Sequence, residues 1–140
     1  MGIKQRWSRH RPLPDDILER IHGLNTIFKE KNVTLAYLFG SLLNKKGEDV
    51  DIALLYDGDF PVLREEMQKK LGTWRLDIVN LKEAPVSTAF EVLQSGKLIY
   101  KINTESENLF ELSVIKQYQD LRPVKSRQLK LLKENLGVGL

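Results

Sequence analysis

The chain reads as α/β or α+β, a small mixed sheet of three to four strands flanked by helices. Three observations predict this. Stretches with apolar residues at helical spacing alternate with short runs rich in Val, Ile, Leu and Tyr. Two of the helical stretches, "PVLREEMQKKLG" and "APVSTAFEVLQSG", carry proline near the start and glycine at the end. The length, 140 residues, matches one domain with a real core.

The elements follow in order. Residues 1–13 form a basic, flexible N-terminus, and a single domain is expected over 14–136, including the C-terminal helices. From Pro14 the pattern predicts a helix with Ile17, Ile21, Leu24 and Phe28 on one face, closed by "KEKN". Pro14 suits an early helical position, and Asp15 and Asp16 suit the positive end of the helix dipole. "VTLAYLF" predicts a strand ending at Gly40, and "DVDIALLY" a second strand leaving through "DGD". The helix "PVLREEMQKKLG" comes next, then the strand "RLDIVNL", the helix "APVSTAFEVLQSG" and a fourth strand or extended segment, "KLIYKI". Thr104 and Glu107 match a capping box opening a long helix. Pro123 predicts a kink or break near Arg122, with a further helix over 123–135.

Composition narrows the chemistry. There is no cysteine, so disulfides and thiolate metal sites are excluded. Only His10 and His22 are present, so any metal must be held by oxygen, which favours magnesium, manganese or calcium. No apolar run approaches the roughly 20 residues of a membrane span. The N-terminus lacks the apolar segment of a signal peptide. A cytoplasmic protein is expected. Net charge is +3 but uneven: residues 1–11 and 122–133 hold nine of the 22 basic residues and none of the acids. Such ends suit either an acidic partner or a solvated surface. The leucines Leu129, Leu132 and Leu136 form a stripe in the C-terminal basic stretch. They pack on the chain's own core, or dock a partner or a second copy.

The chemistry concentrates between residues 40 and 77. In an extended strand Asp49, Asp51, Ala53 and Leu55 share one face, with Val50, Ile52 and Leu54 on the other. The two carboxylates stand about 6.5–7 Å apart at their backbones, so their oxygens can converge on a cation. Without one they repel and raise each other's pKa. Asp77 lies among apolar residues of "RLDIVNL" and can face the same point if the second and third strands are neighbours. Alternatively, it pairs with Arg75 or Lys82. Gly40 and Ser41 supply a second half: glycine lets a phosphate approach the backbone, and Ser41 offers a hydroxyl and an N–H. Taken singly, a Gly-Ser pair is usually a turn and a D-x-D a strand end. Their conjunction with a central Asp on a third strand suits nucleotidyl transfer. Tyr56 and Trp74 are left open between purine stacking and rim or core positions.

The pattern "LFGS…EDVDIALL…RLDIVNL" resembles the minimal nucleotidyltransferases of the DNA polymerase β superfamily. The continuation through "GKLIY" to "QYQDL" resembles the MntA-type antitoxins, over roughly residues 15–135. The resemblance implies a nucleotidyltransferase fold and magnesium-dependent transfer of AMP from ATP to a protein hydroxyl. The usual acceptor is a tyrosine of a HEPN-domain (HepT-like) toxin. By position, Gly40 and Ser41 correspond to the phosphate-binding pair. Asp49 and Asp51 correspond to the metal ligands, and Asp77 to the third carboxylate, which takes the acceptor's proton or orients a second metal. The implied partners are ATP and the toxin, with a second copy of the chain as an alternative, and neither membrane nor nucleic acid. In one respect the chain departs from the family. Seven residues, "LLNKKGE", separate Ser41 from Asp49, a shorter spacer than usual, and Leu42 and Leu43 replace the customary basic residue. Lys45 or Lys46 is left to supply that charge. Two alternatives stay open: a nucleotidyltransferase acting on a small molecule or RNA, and a catalytically weak antitoxin that neutralises by binding.

Overall fold

A computed structural model describes residues 13–40 and 49–135, with the backbone alone over 122–135. The basic N-terminus, Ser41 with the spacer after it, and the C-terminal leucine stripe lie outside the described residues or side chains.

The first helical stretch is two short helices, α1 (Ile17–His22) and α2 (Leu24–Glu30), separated by a turn at Gly23. The single helix expected from Pro14 is therefore corrected at two points. Pro14 stands before the helix, with its carbonyl accepting from Ile17 N–H at 3.1 Å. Gly23, at φ −66 and ψ −15, stands between the two helices, with its N–H donating to Glu19 O at 3.0 Å. The predicted apolar face holds, because Ile17, Ile21, Leu24 and Phe28 are all buried. Asn32 at φ 60 turns the chain out of α2, and Val33 N–H reaches back to Phe28 O at 2.9 Å.

The four strands are β1 (Leu35–Phe39), β2 (Val50–Leu55), β3 (Leu76–Asn80) and β4 (Lys97–Lys101), in the order β3-β2-β1-β4. β1 is antiparallel to both β2 and β4, while β2 and β3 run parallel. The parallel pair needs a crossover, supplied by α3 (Phe60–Leu71). Asp59 caps α3 by accepting from Val62 N–H at 3.1 Å, and Gly72 closes it at φ 71.

Two apolar layers hold the sheet. Val50, Ile52 and Leu54 join the helices α1, α2 and α3 through Ile21, Phe28, Leu63 and Met67. On the other face Leu35, Tyr37 and Ala53 pack with α4 (Val86–Ser95) and α5 (Thr104–Asn135) through Ala89, Val92 and Val114. The face assignment read from the D-x-D strand is borne out by this division. Phe90 of α4 stacks on Tyr118 of α5, centroids 3.9 Å apart.

Two expectations for α5 are corrected. Its N-terminus is capped by Asn103, whose Oδ1 accepts from Ser106 N–H at 2.7 Å, while Glu107 pairs with Lys101 at 3.1 Å. An Asx cap one residue earlier thus replaces the capping box at Thr104. Nor does the helix break at Pro123 to leave a further helix over 123–135, since one helix spans Thr104–Asn135. Proline removes one backbone donor, and a helix of 32 residues has full turns on both sides to carry on from.

Candidate active site

The site forms where β1 ends and β2 and β3 begin. Asp49 stands one residue before β2, Asp51 lies within it, and Asp77 is the second residue of β3. Asp51 is the register partner of Asp77 on one side and of Phe39 on the other. Two carboxylates far apart in the chain therefore meet on adjacent strands, with Gly40 next to them.

Gly40 has φ 84, and a Cβ there would run into the Asp51 carboxylate. Glycine is required on both counts, since L-residues avoid that φ and the space is taken. Ser41 lies outside the described residues.

Asp51 is half-buried and its pKa is raised. Burial is the largest cause, followed by the charges of Asp77 and Asp49 and a hydrogen bond with Asp77. Asp77 itself is exposed. Among the ion pairs of the described residues, Lys82 bridges to Asp57, and the Arg75 Nε donates to Asp49 Oδ1 at 3.2 Å. Arg75 is placed by its own backbone. Its N–H donates to the buried Thr73 Oγ1 at 3.1 Å, and its carbonyl accepts from Val50 N–H at 2.9 Å.

Among the described residues no group of three His, Cys, Asp or Glu side chains is already set to hold a metal ion. Asp49 is paired with Arg75 at 3.2 Å. The donor chemistry fits a hard divalent cation nonetheless. Only oxygen is offered, and Asp51 carries an electrostatic load that a cation would relieve.

Next to the acids opens a cavity of about 620 Å³, lined by Arg64, Gln68, Trp74 and Arg75 together with Asp49 and Asp77. Arg64 Nη1 donates to Leu76 O at 2.8 Å, fixing its guanidinium to the start of β3. Sequence reasoning missed Arg64, Gln68 and Arg75. The spacing of Arg64 and Gln68, four apart on one helix, was the only available signal. Of the two aromatics left open, Trp74 lines this cavity, whereas Tyr56 is buried in the core with its ring against Phe60.

The family model for polymerase beta nucleotidyltransferases matches residues 23–105, more than half of the chain and both acid-bearing strands. The chain belongs to the polymerase beta nucleotidyltransferase family. Comparison of the sequence with curated proteins gives no match. Among solved structures, a chain from the complex of tri-AMPylated Shewanella oneidensis HEPN toxin with MNT antitoxin superposes with TM-score 0.63 at 22% identity, over 83% of this chain and 98% of that one. A toxin–antitoxin complex with AMP-PNP gives TM-score 0.62 at 23% identity, over 80% of this chain and 97% of the other. The MntA–HepT complex gives 0.61 at 22%, over 82% and 97%. This nucleotidyltransferase therefore shares its fold with chains of those complexes, and the expected fold class is met. No helix among its described residues is long and apolar enough to cross a membrane.

Proposed function

We propose that this nucleotidyltransferase transfers AMP from ATP to a hydroxyl of a HEPN-domain toxin, with magnesium, and acts as its antitoxin. The observation that carries the reading is the pairing of Asp51 with Asp77 beside a left-handed Gly40. The fold shared with toxin–antitoxin complexes, one holding AMP-PNP and one an AMPylated toxin, supports the choice of donor and acceptor. A reaction that draws on ATP goes with a cytoplasmic location.

In this reading Asp49, Asp51 and Asp77 are the catalytic carboxylates and would hold magnesium, Asp49 by turning from Arg75. Magnesium, when bound there, supplies positive charge that offsets the carboxylates and the triphosphate. Gly40 and Ser41 bring backbone N–H groups and a hydroxyl to the phosphates, with no side chain at Gly40 to obstruct them. The acceptor oxygen forms a bond to the α-phosphorus, the bond from that phosphorus to the β-phosphate oxygen breaks, and pyrophosphate leaves. The acceptor's proton passes to Asp77, which is exposed at the edge strand. Burial and the charges of Asp77 and Asp49 raise the Asp51 pKa, and a cation there would favour its ionised form.

The test is incubation with labelled ATP, magnesium and a HEPN-domain toxin, followed by mass spectrometry of the toxin. A gain of one or more AMP masses is expected, lost with Asp51→Asn. A second reading, an antitoxin that neutralises by binding alone, is favoured by the Asp49–Arg75 pair. Neutralisation that survives Asp51→Asn, with no AMP on the toxin, would select it.

A further inference from the structure

The cavity beside the acids is lined by Leu76 and Asp77 of β3, whereas Gly40 follows β1. Strand β1 is the neighbour of β2 on one side, while β3 is the neighbour on the other and forms an edge of the sheet. The acids stand between. The cavity is walled by Arg64 and Gln68 of α3 and by Trp74 in the α3–β3 connection, so it opens on the β3 side. In-line displacement needs the attacking oxygen opposite the leaving pyrophosphate. With the phosphates at Gly40, an in-line hydroxyl would come from the β3 side of Asp51, where this cavity lies.

We infer that this cavity is the acceptor site, and that Trp74, Arg64 and Gln68 bind a tyrosine-bearing protein segment and present its hydroxyl to Asp77. The inference rests on the proposed nucleotidyl transfer. The wall chemistry suits such a segment. Half-buried Trp74 offers an indole face to an aromatic ring. Arg64, already steadied by Leu76 O, keeps further N–H donors for peptide carbonyls. Gln68, one turn along the same helix, offers both a donor and an acceptor. At about 620 Å³ the cavity exceeds what one side chain fills, so flanking backbone enters with the ring. The competing occupant is the adenine of ATP.

The experiment measures AMP transfer to a HEPN-domain toxin and, separately, AMP-PNP affinity by calorimetry, for the wild-type chain and for Trp74→Ala, Trp74→Phe and Gln68→Glu. Trp74→Ala and Gln68→Glu should each lower kcat/KM for the toxin by about tenfold or more, mainly through KM. AMP-PNP affinity should stay within about twofold, which also reports that the variants fold. Trp74→Phe keeps a ring and should recover most of the loss. Unchanged transfer in Trp74→Ala and Gln68→Glu overturns the acceptor site. So does a parallel loss of AMP-PNP affinity, which assigns the cavity to the nucleotide. Absence of transfer by the wild-type chain is a different result: it overturns the proposed function and removes the ground of this inference with it.

Discussion

Asp51 of β2 and Asp77 of β3 are register partners in a parallel ladder, and after burial the Asp77 charge is the largest cause that raises the Asp51 pKa. The pair joins residues 26 positions apart, and the register of the sheet brings them together. It is the most consequential contact in the site, because it stores like charge where the proposed chemistry needs a cation.

The first prediction follows from that pair. A carboxyl raised in the fold keeps its proton when the unfolded chain has released it. Its stabilising contribution is therefore full below the unfolded carboxylate value, and it declines as pH rises through the raised native value. Asp51→Asn removes the decline, so the melting temperature at neutral pH should rise by a few degrees while AMP transfer falls about a hundredfold or more. Magnesium should raise the melting temperature of the wild-type chain and leave the variant unmoved, since only a folded, intact site binds it. A lower melting temperature for Asp51→Asn without magnesium would mean that Asp51 supports the fold.

Gly40→Ala tests the turn. The substitution forces an L-residue to φ 84 and drives a methyl group into Asp51. A cost of about 1–3 kcal/mol is expected from the backbone alone, visible in urea unfolding. AMP-PNP binding should be lost more completely than stability. A variant that binds AMP-PNP normally would separate Gly40 from the phosphates.

Tyr37→Phe tests how α5 is held to the sheet. The buried Tyr37 hydroxyl donates to Glu111 Oε2 at 2.8 Å. Burial and the charge of Glu111 push the phenol pKa far up, so it remains a donor throughout the working range. Removing the hydroxyl strands a half-buried carboxylate and should cost about 1.5 kcal/mol in chemical denaturation. Glu111→Gln still offers Tyr37 an acceptor and should cost less. Equal losses in the two variants would mean that the charge itself, and not the hydrogen bond, matters.

At the start of α5, two candidate caps give opposite expectations. Asn103→Ala removes the oxygen that accepts from Ser106 N–H and should cost about 1 kcal/mol. Thr104→Ala, inside the helix, should be nearly neutral or mildly stabilising by propensity. Thermal melts of the two variants decide between them, and the reverse order would restore the capping box.

The sequence by itself determined the alternation of elements, the face each one buries and the three carboxylates. Period-2 and period-3.6 patterning set which side chains leave water, and those patterns are local. Ile17, Ile21, Leu24 and Phe28 were legible as a core face, and Asp49, Asp51 and Asp77 as a constellation. The family resemblance extended this to ATP and a toxin acceptor. Tertiary structure alone decided the rest. The order β3-β2-β1-β4 set Asp51 against Asp77, with β1, which leads to Gly40, on the other side of β2 from β3. It also set Arg75 against Asp49, and it chose Asn103 over Thr104 as the cap. Neighbours across a sheet, and the single partner a charge selects among several within reach, depend on which strands pair, and no local period encodes that.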